Sequence, residues 1–247
     1  MLEVETVGSD KELEIFALGS QWITKSRGLR LDAGYYNPRA AQAITALQQS
    51  GIPLRRLGDE DITERIFVPA RFKRIYVTEQ HGVPFLQGSH LVHFQPADLK
   101  YLSRKAHKSL SQWIIKKGWV LVTCSGTIGR VTIALDSWDG WAASQHIMRI
   151  IPRSGGPCPA GYIYAFLSSP LGQAQFNGVY GAVVDELTAE DAGNILIPVP
   201  ENQQQKAIIA TINELSLESI REKEKAVHLA EQAVARVNEF LPNLSPS

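Results

Sequence analysis

Through the middle of the chain, apolar and polar positions alternate in short β-type runs, and they change to a helical period near its end. Trp119–Cys124 (WVLVTC) and Arg130–Leu135 (RVTIAL) are rich in β-branched residues. Ser125-Gly126-Thr127-Ile128-Gly129 separates them, which predicts a hairpin with a glycine-dependent loop. A third strand is expected at His146–Ile151, with shorter β-type runs at Arg74–Thr78 and Val83–Gln87. Helical patterns fall at 10–27, at Arg39–Gln49 after the Asn37-Pro38 break, and around Pro170. Another is read at Ser103–Lys117, where Ala106, Leu110, Trp113 and Ile114 make an apolar face.

From Ile195 the chain reads ILIPVPENQQQKAIIATI and then runs without proline or glycine to Leu241. This predicts a helix of about 40 residues, ~60 Å long, more than a domain of this size needs to cover its own core. Ile220, Val227, Val234 and Leu241 recur every seven residues, with Leu217, Ala230 and Val237 beside them and Glu, Lys, Arg and Gln on the other faces. That is the pattern of a seam for a partner helix. The second heptad core position holds Glu224, Glu231 and Asn238, which favours a larger helical assembly over a long isolated two-stranded coil. A helix folded back on its own domain is the alternative. The expected fold is α+β: a helical lead-in (1–29), a mixed β-sheet and α region (30–200), a long C-terminal α-helix (201–241) that pairs in an antiparallel bundle or coiled coil, and a tail (242–247).

Composition narrows the class. With 247 residues, 44% hydrophobic and 20% charged, the chain can bury a sizeable core. No apolar run approaches the ~20 residues of a membrane span. The acidic start MLEVETVGSDKELE lacks the basic and apolar regions of a signal peptide, so a cytoplasmic location is expected. Cys124 and Cys158 are too few for a disulfide framework or a closed zinc site and are read as packed residues.

The net charge is +0, but it is unevenly distributed. No acid lies between Asp98 and Asp136, where Lys100, Arg104, Lys105, Lys108, Lys116, Lys117 and Arg130 fall. In RIFVPARFKRIY, Arg65, Arg71, Lys73 and Arg74 are interleaved with Phe67, Phe72 and Tyr76. Such clusters are the electrostatic footprint of a phosphate backbone, although a basic run can equally be a solvated face. Arg65, Arg71, Lys73, Arg74, Arg104, Lys105, Lys108 and Arg130 are therefore candidates for phosphate contact. Gln87, Ser89, His90, Thr127, Gln145 and His146 are candidates for base contact, glutamine suiting adenine in particular. The Ser125–Gly129 loop can bring backbone amides close to a phosphate, and a purely structural turn would need the same glycines.

Catalytic patterns are missing. There is no Glu-x-Lys, no G-x-x-x-x-G-K-[ST], and no G-x-S-x-G frame around Ser125. Tyr36-Asn37-Pro38-Arg39 has only half of an amino-methyltransferase loop, and His90 and His93 lack further ligands at metal spacing. No catalytic residue and no metal site is expected.

Five segments carry a resemblance: Arg30–Pro38 (RLDAGYYNP), Gly82–Leu91 (GVPFLQGSHL), Gly118–Gly129 (GWVLVTCSGTIG), Ala143–Ile150 (ASQHIMRI) and Leu196–Ile208 (LIPVPENQQQKAI). In order and spacing they resemble the specificity subunit of type I restriction-modification systems, specifically one target recognition domain with its spacer helix. The resemblance implies a non-catalytic adaptor that reads one half of a bipartite site in double-stranded DNA. DNA methyltransferase (modification) subunits dock on it, and restriction subunits join them in the family. It implies no cofactor on this chain; S-adenosylmethionine, ATP and Mg belong to the partner subunits. The family's usual chain carries two recognition domains and two helices, whereas this one has room for one of each. A half-subunit forming a homodimer through the C-terminal helix is therefore expected, reading an interrupted palindrome. The alternatives are an interaction scaffold without DNA readout and a stand-alone DNA-modifying enzyme.

Overall fold

The computed structural model describes residues 6–10, 13–16, 20, 38–91, 98–107, 110–179 and 186–240. The β-branched runs pair as read: β8 (Val120–Thr123) and β9 (Val131–Ile133) form an antiparallel hairpin, and β11 (Ile147–Pro152) lies on the other side of β8. β4 (Thr63–Phe67) completes this first sheet in the order β4-β11-β8-β9. The second sheet has the order β10-β6-β7-β5, built from β5 (Tyr76–Val77), β6 (Gly82–Leu86), β7 (Lys100–Ser103) and β10 (Ala142–Ala143). Only its β10–β6 pair is parallel. A small ribbon joins β3 (Leu54–Arg56) to β12 (Leu196–Pro198).

The central strands are covered on both faces, so β8 has no exposed residue and the apolar alternation is lost there. Helices α1 (Pro38–Gln49), α2 (Ala160–Ser168), α3 (Pro170–Val179) and the short α4 (Ala189–Gly193) surround the first sheet, α2 against β9 and β8 and α1 against α3. Leu121, Ile133, Ile147 and Leu167 are among the buried core side chains, each contributing ~1.5–3 kcal/mol by burial.

The long helix α5 spans Gln203–Phe240, 38 residues and about 57 Å. Asn202 Oδ1 caps its start by accepting the Gln205 N–H at 2.8 Å. Its first part is packed on the body: Ile209 and Ile220 are buried in the main core, and Asn213 Oδ1 accepts the Gly161 N–H of α2 at 3.0 Å. Glu224 accepts from both the backbone and the hydroxyl of Ser137, at 2.9 and 2.8 Å. Between 231 and 240 every described side chain is exposed.

Three expectations change. Where a helical lead-in was read, β1 (Thr6–Asp10) and β2 (Leu13–Phe16) pair antiparallel, because Leu13-Glu14-Ile15-Phe16 suits a pleated ribbon as well as a helix; of the remaining lead-in only Ser20 is described. The helix expected over 103–117 is not formed by its described residues: β7 runs to Ser103, a single 3-10 turn covers Leu110–Gln112, and Ile115 donates to Trp141 O at 2.9 Å. Here tertiary pairing overrides a helical period. The heptad positions expected to face a partner are in part taken up by the chain's own body. Leu217 and Ile220 pack on the chain's own core, and Val227 and Ala230 are half-buried. Val234 and Val237 are exposed, and Leu241 lies outside the described residues. The exposed apolar positions are Ile208, Leu215, Leu229, Val234, Val237 and Phe240, mostly on a second stripe of the helix about a quarter-turn or more from the docked one.

Candidate nucleic-acid interface

The chain crosses from the second sheet to the first in three residues, Ser144, Gln145 and His146, between β10 and β11. Ser144 N–H donates to Leu86 O at 2.9 Å, and the His146 amide is held by Ser144 Oγ at 3.2 Å. The Cys124 amide donates to His146 O at 3.0 Å, tying the turn to the end of β8. The side chains continue this fixation. Gln145 Oε1 accepts from Arg74 Nη2 at 3.0 Å, which orients the amide so that its Nε2 donates to His146 Nε2 at 2.9 Å. With Nε2 accepting, His146 uses Nδ1 to donate to Ser125 Oγ. Arg74, Gln145, His146 and Ser125 therefore form one chain of polar groups running from the edge of the second sheet to the hairpin loop of the first.

That loop is shaped by two glycines with positive φ, Gly126 at 70° and Gly129 at 84°. Thr123 Oγ1 donates to Thr127 O and accepts the Arg130 amide, and Gln173 Nε2 donates to Gly129 O at 2.8 Å. Gly126 and Thr127 remain exposed at the tip, with Arg130 half-buried below.

The two basic stretches, separate in sequence, meet in space. Strands β5 and β7 pair with Tyr76 opposite Leu102, and Ser103 N–H donates to Ile75 O at 2.9 Å, so residues 73–76 lie beside 100–107. Lys73, Arg104 and Lys105 are exposed there, and Lys100 Nζ sits 5.2 Å from the Tyr76 ring centroid. Arg71 is exposed and 3.8 Å from Glu186, while Arg65 lies over the Phe67 ring at 4.4 Å. Lys108 lies outside the described residues.

Some candidates fall differently from the sequence reading. His90 is only 5% exposed, and its Nδ1 accepts the Gln87 N–H at 3.2 Å, so it closes its own 3-10 turn instead of facing outward. Gln87 is half-buried and Ser89 exposed. Gln145 is 8% exposed, with both ends of its amide engaged. Phe72, read as an interleaved aromatic, turns inward and packs 4.1 Å from Trp113 by ring centroids.

One residue escaped the sequence reading altogether. Arg149, inside the apolar strand β11, is 0% exposed. Its guanidinium donates to the carbonyls of Ser144 (2.8 Å), Ala143 (2.6 Å), Trp113 (3.2 Å) and Ile147. Its Nε finds no acceptor among the described residues. Burial pushes its pKa down to about 9, which still leaves the cation protonated at neutral pH. A lone arginine in the middle of an apolar β-run was the available signal.

Burial also pushes the Cys124 and Cys158 thiols up, to about 11 and about 12, consistent with packed residues and not with nucleophiles. Among the described residues no group of His, Cys, Asp or Glu could hold a metal ion, and no helix is long and apolar enough to cross a membrane.

The S subunit of a type I restriction-modification system from M. genitalium matches over 86% of this chain and 52% of its own, with TM-score 0.50 and 14% identity, which shows a shared fold. The HsdS subunit from Thermoanaerobacter tengcongensis matches over 78% and 47%, with TM-score 0.48 and 18% identity. A structure reported for complex assembly and conformational transition of the type I R-M system matches over 81% and 50%, with TM-score 0.47 and 17% identity. The chain thus spans about half the length of the solved proteins it matches. No curated protein sequence matches significantly. The family model for the type I restriction modification DNA specificity domain matches residues 77–229, which takes in the second sheet from Val77 onward, the Ser144–His146 turn, the glycine hairpin and most of α5; the chain belongs to that family.

Proposed function

We propose that this chain reads one half of a bipartite DNA target through the surface where the Ser144–His146 turn, the glycine hairpin and the two basic stretches converge. The observation that carries this reading is the side-by-side placement of 73–76 and 100–107, with Arg74 bonded to Gln145. Exposed cations thereby stand next to a rigid polar turn. Lys73, Arg104 and Lys105 supply sequence-independent attraction to phosphates, and Gln145 and His146 exchange their internal partners for base edges. No catalytic group is assigned to the chain. Methyl transfer with S-adenosylmethionine, and cleavage with ATP and Mg, belong to methyltransferase and restriction subunits that dock on it.

The second half of the target is read by a second copy. The stripe of Ile208, Leu215, Leu229, Val237 and Phe240 is exposed, as is every described side chain from 231 to 240, which favours antiparallel pairing of two such helices. Two-fold symmetry then makes the site an interrupted palindrome. Methylation mapping in cells carrying this chain and its modification subunit tests the whole reading at once. A methylated palindromic motif with a fixed gap is expected; absence of sequence-dependent methylation, or a non-palindromic motif, would refute it or its symmetric form.

A further inference from the structure

Arg149 is a buried cation for which the reading above has no task. Burying a guanidinium in an apolar strand is expensive, and the usual compensation is a carboxylate. No acid pairs with Arg149 among the described residues; backbone carbonyls compensate it instead. Their positions are informative. Ala143, Ser144 and Ile147 bracket Gln145 and His146 in sequence, and Trp113 O, the fourth acceptor, also takes the Ala143 N–H at 2.9 Å. The planar fork thus grips the end of β10 and the start of β11 from below, where the two sheets exchange the chain. A lysine ammonium at the same place is a single point and cannot span these acceptors.

We propose that Arg149 is a positioning residue for sequence discrimination: its buried fork sets the height and angle of the Ser144–His146 turn, and through it which base edge Gln145 and His146 meet. Arg149 itself touches neither bases nor phosphates. The inference rests on the DNA-reading function proposed above. A readout group must be held to about half an ångström, which a turn of three residues joining two sheets does not achieve without support from beneath.

The test uses the full chain as wild type, Arg149→Lys and Arg149→Met, with two probes: a duplex enriched by the wild type from a randomised pool, and random duplex of the same length. Thermal unfolding of the same preparations identifies the folded variants. The preference for the enriched duplex should drop by about tenfold in a folded variant. Affinity for random duplex and its salt dependence should stay within about twofold, because no phosphate contact is removed. In a background carrying both Gln145→Ala and His146→Ala, Arg149→Lys should cost nothing further, since the groups being positioned are gone. A folded variant with its preference intact overturns the proposal. So does a parallel loss on both probes, or failure of both variants to fold, which would make Arg149 a support of the whole domain. A wild-type chain that enriches no duplex would instead refute the DNA reading itself.

Discussion

Arg74 and Gln145, 71 positions apart, are joined by a hydrogen bond of 3.0 Å between Nη2 and Oε1 that couples the edge of one sheet to the turn entering the other. Because Arg74 can only donate, it fixes the orientation of the Gln145 amide and, through it, the donor at His146. Gln145→Ala should therefore reduce discrimination at one base position by ~1–3 kcal/mol while random duplex binds as before. Competition titration against single-position variants of the target checks this; uniform weakening at all positions would mean that Gln145 serves the fold alone.

The exposed cations are expected to behave additively and without sequence preference. Replacing Lys73, Arg104 and Lys105 by alanine should reduce the slope of log affinity against log salt by ~2.7, at ~0.9 for each phosphate neutralised. Arg65 and Arg71 should contribute less, because Phe67 and Glu186 already engage them. Titrations at several salt concentrations measure it, and an unchanged slope would remove these residues from the interface.

The two faces of α5 separate by mutation. Ile220 is 8% exposed in the body's own core, so Ile220→Ala should cost ~2–5 kcal/mol of folding stability. Val237 and Phe240 are 54% and 83% exposed, so Val237→Glu with Phe240→Glu should leave the unfolding midpoint nearly unchanged and shift a dimer toward monomer. Sedimentation velocity and thermal unfolding on both variants decide between this stripe and the 220/227/234 heptad as the partner face.

Cys158 gives a pH dependence of definite sign. Its thiol is raised from 9.0 to about 12 in the folded chain, so above pH 9 the unfolded chain releases a proton that the folded chain keeps. The resulting stabilisation is complete below pH 9 and is lost as the pH climbs through the folded value. Relative to Cys158→Ala, wild type should lose ~1.4 kcal/mol per pH unit once the pH exceeds the unfolded value of 9.0, and the difference should be flat below it. Urea unfolding of both proteins between about pH 8 and 10.5 reads this directly, parallel curves being the contrary result.

Much of the architecture is legible in the residues. β-branched runs around a glycine loop specify the β8–β9 hairpin, and an uninterrupted helical stretch opened by Pro198, Pro200 and Asn202 specifies α5, because these depend on local propensity and punctuation. The basic stretches and the Gln145-His146 pair are visible for the same reason. Local pattern does not decide which neighbour a segment finds. Residues 103–117 have a helical period, yet Ile115 is drawn out to Trp141. Leu217 and Ile220 fit a seam and are taken up by the body's core. His90 and Gln145 look alike as polar strand-end residues, but one closes its own turn and the other links two sheets.

What the sequence by itself determined is the β8–β9 hairpin, the long helix α5, the charge clusters and the family pattern, since these follow from neighbours within a few residues. Only the tertiary structure decided that the two basic stretches share one edge, that α5 has a docked face and an open one, and that Arg149 is bonded to the carbonyls on either side of Gln145 and His146. Those depend on contacts between distant residues, where packing and the need to satisfy buried polar groups outweigh local preference.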